Sequence, residues 1–505
     1  MPLPRFFKFV LCRFLTAQIL NFQSTFGIDS TGCLWGTQNN RPSEETMGSI
    51  AELPVVVVNS TAPLPPFKVL VVGGSYGGLS AAFNIQDLCC GRAPRCGEPP
   101  KEGEPPLEKF QVAVDITVVD ERDGFYHLIG TPLALADEKY AEKSWVRYED
   151  IVALRPSSGE GAIRVLQGSV TSINAERKAA TFVARDGAQS SELQYDYLVA
   201  ASGLRRAWPA APRALRKKQF LSEAAEHLRS STTGTHGVVV VGGGAVGIEV
   251  AAEMKMMHPD LKVTLVHSRD KLLSSEPLPD DVKHRSLELL RKSGVETLLS
   301  HRLLDTTPEE SPDSLPTVRM RFTNGHTLLA DKVIMAISSP VPCTSFLPSS
   351  ALTDEGYVRI QPTLAFPSDT PDHFAIGDIV QWSGIKRCGG AMHMGYLAAH
   401  NIHQLMRQRL QGTEPVFQKL DEIPPMIGLA VGKYAVAYWP EGGMTSGEDV
   451  LKAFFGDDLG FSICWKYLQL GGPKAKVVTA VATVDAPEVV PEAAPELAPE
   501  VVAEA

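Results

Sequence analysis

VVVVGGGAVGIE, residues Val238 to Glu249, is the stretch of this 505-residue chain from which its fold can be read outward. The four consecutive valines read as a strand. Gly242, Gly244 and Gly247 follow at G-x-G-x-x-G spacing, then Ile248, Glu249 and the helix-forming run Val250–Met257. The three glycines serve different ends, which are a tight turn, close approach of the backbone to a pyrophosphate, and close packing of helix on strand. The helix N-terminus offers unpaired N–H groups and the positive end of its dipole to the phosphates. Strand, glycines and helix in this order predict a dinucleotide site.

The next strand qualifies which dinucleotide. Lys262–Val266 ends not in an acid but in His267-Ser268-Arg269. An acid there accepts the 2′-hydroxyl of NAD and repels a 2′-phosphate, whereas Ser and Arg can hold that phosphate. NADPH is therefore expected to be accepted as well as NADH, with His267 and Arg269 as candidate contacts. The competing reading of Arg269 is an ordinary solvated charge.

A second, weaker copy lies upstream. Lys68–Val72 enters Gly73-Gly74-Ser75-Tyr76-Gly77-Gly78, and the small residues Leu79-Ser80-Ala81-Ala82 begin a helix. Ser75 replaces the middle glycine of the fingerprint. The acid expected to take the ribose hydroxyls ends the next strand at Asp120, with Glu121 as the alternative if the strand end slips by one. It comes late because Cys89–Phe110, rich in Gly, Pro and charge, reads as an exposed insertion.

Around these units, strand candidates Lys68–Val72, Asp115–Asp120, Tyr195–Ala201, Val238–Val241, Lys262–Val266, Lys332–Ala336 and His373–Ile376 alternate with helical stretches. The expectation is an α/β fold: two Rossmann-like, three-layer dinucleotide-binding domains, one inserted in the other, with a C-terminal α+β segment. The divisions expected are an N-terminal extension (1–66), a first domain in two parts (67–215 and 336–410), an inserted domain (216–335), a C-terminal segment (411–472) and a Pro/Glu/Ala tail (473–505). PEVVPEAAPELAPEVV, from Pro487, places Pro at every fourth position, which opposes a helix and predicts disorder. Phe6–Leu20 is apolar with Arg5, Lys8 and Arg13 and no acid before Asp29, which suits a mitochondrial leader. An upstream extension of no consequence, with Met47 as an internal start, fits equally.

Bulk properties narrow the classes. A hydrophobic share of 44%, a charged share of 21% and a formal net charge of −10 suit a soluble multidomain protein and argue against nucleic acid as main partner. Cysteines at 12, 33, 89, 90, 96, 343, 388 and 464 form no CxxC pair and no disulfide framework, so a reducing, cytoplasmic setting is expected. No run is apolar enough for a spanning helix, which leaves peripheral membrane contact open.

Two nucleotide units, the first interrupted by the second, resemble the pyridine nucleotide-disulfide oxidoreductase-like flavoproteins, in which the first unit holds FAD and the second NAD(P)H. Tyr197-Leu198-Val199-Ala200-Ala201-Ser202-Gly203 is similar to the strand-plus-ATG return segment, with Ser202 for Thr. Ala336-Ile337-Ser338 with Pro342 and Thr344 is a more degenerate copy. His373-Phe374-Ala375-Ile376-Gly377-Asp378 is similar to the late motif whose Asp binds the ribityl chain, and Gly390-Ala391-Met392-His393 opens the helix that the family packs near the flavin pyrimidine edge. Asp120–His127, Val263–Ser268 and the segment Asp458-Leu459 to Ser462-Ile463-Cys464-Trp465-Lys466 resemble the ferroptosis-suppressor and AMID-type members, relatives of apoptosis-inducing factor and of single-subunit NADH:quinone oxidoreductases.

The resemblance implies FAD as cofactor, NAD(P)H as co-substrate and a small, quinone-like electron acceptor. It assigns Gly73, Gly74, Ser75, Tyr76, Gly77, Gly78, Asp120, Val170, Ser202, Gly203, Gly377 and Asp378 to FAD, and Gly242, Gly244, Gly247, His267 and Arg269 to NAD(P)H. Glu249 falls at a family position near nicotinamide and flavin and is the one catalytic candidate; its competing reading is an exposed helix acid. His127 and His393 are weaker candidates, expected to be structural. Cys89, Cys90 and Cys96 are not spaced as the redox pair of the disulfide reductases, so direct transfer from flavin to acceptor is expected. The alternative is a redox-gated interaction protein with slow turnover. No metal site is expected, and the oligomeric state stays open.

Overall fold

Both glycine turns close parallel sheets in the computed structural model, which describes residues 65–471 apart from 96–109, 156–162, 186, 188, 310–316, 338, 368–369 and 371. The N-terminal extension to residue 64, most of the insertion and the tail from residue 472 lie outside the described residues.

The first sheet runs His373–Ala375, Tyr197–Ala200, Phe67–Val72, Val114–Asp120, Ile163–Asn174, all parallel, then adds Ala179–Ala184 and Ser190–Gln194 antiparallel at one edge. Its inner strands are apolar throughout because helices and loops cover both faces. Helix Tyr76–Cys89 is buried along its whole length, wedged between the sheet and the 24-residue helix Cys388–Gln411. Glycine permits that contact: a Cβ on Gly395 would stand 2.6 Å from the Gly77 carbonyl oxygen, and one on Gly77 would stand 3.2 Å from that of Ala391. The Ser80 hydroxyl donates to the Met392 carbonyl across the same seam at 2.7 Å. Burial of Leu79, Phe83 and Ile85 there contributes roughly 1.5–3 kcal/mol each.

The second sheet is Glu296–Leu298, Val263–Val266, Val238–Val241 and Lys332–Met335, all parallel. The four valines of the opening stretch divide between its two faces. Val238 and Val240 pack under helices Ala245–Met257 and Asp280–Lys292, while Val239 and Val241 pack against Met320, Phe322 and Ala330 of an antiparallel three-stranded layer. Helix, sheet and hairpin layer make this unit three-layered, and its strands fall in sequence between Tyr197–Ala200 and His373–Ala375 of the first sheet.

The C-terminal segment is an antiparallel meander, Ile427–Val431, Tyr434–Trp439 and Gly443–Gly447, followed by helices Glu448–Phe454 and Phe461–Tyr467. Its first strand packs Ile427, Leu429 and Val431 on the helix of the second glycine turn.

All seven expected strands occur, within two residues at their ends. Both turn helices start earlier than expected, at Tyr76 and Ala245, because the third glycine of each turn sits inside its helix where the backbone closes on itself. One expectation fails. The insertion does not begin as an exposed loop at Cys89: Arg95 is buried, ion-paired to Asp87 at 2.9 Å and lying over the Phe83 ring, with Arg92 on the same carboxylate. One acid holding two arginines folds this end of the insertion onto the core.

Candidate functional site

In the first turn the backbone is forced into a shape only glycine tolerates. Gly73 has φ +111°, and a Cβ on Gly78 would stand 1.7 Å from the Gly73 carbonyl oxygen. Ser75 is the N-cap of the helix, yet no side chain caps that helix and its first turn holds no acid. The first N–H groups are thus left for an anion from outside the chain. Asp120 ends its strand beside them, its two carboxylate oxygens accepting from the N–H groups of Gly74 (2.6 Å) and Arg122 (2.8 Å). Burial pushes its carboxyl up, with Arg122 opposing. Glu121, the alternative, turns to Ser169 and Arg205 instead.

The second turn repeats this plan with a different side chain. Gly242 has φ +130°, a Cβ on Gly247 would stand 1.9 Å from the Gly242 carbonyl oxygen, and helix Ala245–Met257 again has no side-chain cap and no acid in its first turn. Beyond Gly244 there is open space, where a Cβ would meet nothing within 4 Å. Where Asp120 accepts from Gly74, His267 Nδ1 accepts from the Gly243 N–H at 3.1 Å, and its Nε2 meets the Ser274 hydroxyl. Accepting at Nδ1 requires an unprotonated nitrogen, in keeping with burial and Arg269 pushing the ring's pKa down. His267 therefore shapes the turn, and Arg269 is exposed, with one guanidinium N–H on the Ser274 carbonyl.

The remaining residues that the resemblance assigns to FAD lie on several different segments. Ser202 donates to the Cys343 carbonyl at 2.6 Å and Gly203 (φ +71°) accepts from the Cys343 N–H, tying together the two segments that run between the sheets. Val170 lies three residues past Gln167, the register partner of Asp120, at a bulge with its side chain in the core. Gly377 (φ +75°) turns the chain after its strand, and Asp378 follows with Arg206 at 3.5 Å and Lys386 near. Burial raises the Asp378 carboxyl in spite of both cations.

Glu249 is not the exposed helix acid of the competing reading. It is half-buried beneath the Ile427–Val431 strand, and burial raises its carboxyl to about 8, with the Ala430 backbone opposing. One turn on, Glu253 is buried with a carboxyl also at about 8, raised by burial and by Glu249.

Both candidate histidines are held neutral by burial. His127 Nε2 donates to the Leu459 carbonyl at 3.0 Å, which leaves Nδ1 to accept from the Tyr76 hydroxyl at 3.1 Å; burial holds the ring neutral, at about 4. It latches the C-terminal segment to the first glycine turn. His393 is likewise pushed down to about 4 by burial.

Several contributors were not singled out from the sequence. The Tyr148 hydroxyl donates to the Gly74 carbonyl at 2.8 Å, Arg206 and Lys386 flank Asp378, and Glu253 pairs with Glu249. Only Glu253 had a local signal, its i+4 spacing from Glu249; the others arrive from distant segments.

The chain is similar to known proteins in sequence and in fold. The model of the family described as "Pyridine nucleotide-disulphide oxidoreductase" matches residues 67–395. "Oxidoreductase OXR1" of Ajellomyces capsulatus is 50% identical over 422 residues, 82% of this chain and 90% of the relative. Human "Ferroptosis suppressor protein 1" is 24% identical over 350 residues, 69% of this chain and 83% of the relative. Among solved structures, NDH2 from Plasmodium falciparum in complex with NADH superposes with a TM-score of 0.56 at 12% identity, covering 81% of this chain and 98% of that one, a likeness of fold.

Proposed function

Since the chain belongs to the pyridine nucleotide-disulphide oxidoreductase family, whose FAD- and NAD(P)H-dependent chemistry it shares, we propose that it oxidises NAD(P)H and passes the electrons to a small quinone-like acceptor. FAD, when bound, supplies the electron chemistry. The two uncapped helix N-termini fit the two pyrophosphates, with Asp120 for a ribose and Asp378, between Arg206 and Lys386, for the polar chain of the flavin.

The observation that carries this reading is Glu249. Reduction of a quinone consumes two protons with two electrons, and a carboxyl that is protonated at neutral pH can supply one of them. A carboxyl at about 8 stays protonated at neutral pH and can give that proton up, which an ordinary helix acid cannot. Glu253 beneath it holds a second. Cys89, at the far end of the first helix, has its thiol pushed up to about 12 by burial and lies on the Met406 sulfur, which suits no disulfide relay there.

The test is direct. Purified protein should be yellow, bleach with NADH and NADPH, and regain colour in anaerobic solution when a soluble quinone is added. Bleaching without recovery would defeat the quinone reading in favour of a slow, redox-gated interaction protein.

A further inference from the structure

At the end of the second sheet opposite its glycine turn, a cleft of about 190 Å³ is lined by Trp208, Arg213, Glu223, Glu226, His227 and Lys332. Lys332 opens the strand Lys332–Met335 and pairs with Val238, whereas the glycine turn leaves the other end of Val238–Val241, roughly 10 Å further along. Nucleotides meet parallel sheets at the carboxyl ends of the strands, so this cleft is a separate place.

Its floor is a histidine with nothing to bond. His227, on helix Lys217–Thr232, is 4% exposed, and neither ring nitrogen has a hydrogen-bond partner among the described residues. Buried polar groups in folded chains are nearly always paired, so an N–H and a lone pair both left unmet at the base of a cleft point to a ligand. Trp208 stands edge-on to this imidazole, with ring centroids 5.5 Å apart, and Arg213 lies over the indole at 5.7 Å from the exposed rim.

The charged side chains around the floor differ in their commitments. Glu226 is ion-paired to Arg229, and Glu223 accepts from the Ala214 N–H at 3.3 Å and from the Gln219 side chain at 3.2 Å. Lys332, half-buried, donates to the Ser230 hydroxyl at 2.9 Å, and neither it nor Arg213 has an ion-pair partner among the described residues. The uncommitted charge is therefore positive and the wall is aromatic. The volume is below the roughly 300–1,000 Å³ of sites for drug-sized ligands, so the occupant is small.

We propose that this cleft binds a small aromatic carboxylate. Its ring packs on the Trp208 indole, its carboxylate takes the Lys332 ammonium, and Arg213 closes over it from the rim. The His227 N–H donates from the floor once the Trp208 edge above it tilts aside. This inference does not rest on the identity of the electron acceptor.

The experiment is isothermal titration of the full chain with benzoate as the probe, beside acetate, benzamide and inorganic phosphate. One benzoate should bind per chain, and the other three should bind about ten-fold or more weakly, as loss of the ring or of a charge-assisted hydrogen bond requires. Saturating NAD⁺ should not displace it. Lys332→Met and His227→Phe should each weaken benzoate binding about ten-fold or more. Backbone amides within residues 208–232 should exchange hydrogen more slowly when benzoate is present. Absence of benzoate binding, equal binding of acetate or phosphate, displacement by NAD⁺, or protection confined to other segments would overturn the proposal. The comparison of probes and the exchange map are read on the parent chain, so they decide the matter even if a variant fails to fold.

Discussion

A carboxylate one turn into a solvated helix is ionised at neutral pH. Glu249 differs because burial raises its carboxyl to about 8, against the opposing backbone of Ala430. If its proton is used in turnover, the kcat of Glu249→Gln should fall about a hundred- to ten-thousand-fold. The decline of the parent's kcat/KM as pH rises through about 8 should vanish in the variant. A pH profile unchanged by the substitution would remove Glu249 from the proton path. At the nucleotide end, His267 is committed to the glycine turn and Arg269 is the cation that remains. Arg269→Ala should therefore raise the KM for NADPH much more than that for NADH, and an equal rise in both would count against a 2′-phosphate contact.

At the scale of the element, each glycine turn is a helix start that closes on its own strand. Gly78 and Gly247 are equivalent, each facing the carbonyl oxygen of the turn's first glycine at a separation no Cβ survives. Gly78→Ala and Gly247→Ala should each cost roughly 2–4 kcal/mol of stability, since the obstacle is backbone and cannot swing away. Their functional effects should separate: Gly78→Ala should purify with reduced flavin content, and Gly247→Ala should stay yellow while losing bleaching by NAD(P)H. Absorbance at the flavin band before and after NADH addition reads both. These turns were legible in the sequence because strand, glycines and helix are contiguous within a dozen residues. The extent of the helices was not, since a glycine inside a helix disfavours it locally and only the packing of helix on strand, and of Gly77 against the Ala391 backbone, compensates.

Across the whole molecule, burial has displaced the pKa values of many groups, which makes stability depend on pH. His127, His227, His373, His393 and His403 are all pushed down to about 4. The unfolded chain binds protons at these five positions below about 6.5, so their contribution is lost as pH falls from there toward 4. Glu249 and Glu253, raised to about 8, act in the opposite sense: the folded state holds their protons, and stability is lost as pH rises from about 4.5 through 8. Below about 6.5 five protons outweigh two, so the melting temperature should peak near there and decline on both sides. Glu253→Gln should roughly halve the alkaline decline, leaving the share of Glu249, and steepen the acid side below about 6.5; a decline of unchanged slope in the variant would place its cause elsewhere.

The sequence by itself determined the two dinucleotide units, their order, the insertion of one within the other and the late motif at Gly377-Asp378, because each is written in residues adjacent along the chain. It also pointed to Asp120, one residue from its rival, since the strand that carries it runs directly into the acid. What only the tertiary structure decided is the environment of those residues. Tyr148 reaches Gly74 from seventy-four positions away, Arg206 meets Asp378 across 172, and Leu459 caps His127 across 332. The state of Glu249 is of this kind too: its place after the third glycine is local, but its proton depends on burial, which only the tertiary structure sets. Burial and charge are properties of neighbours in space, and separation along the chain does not reveal them.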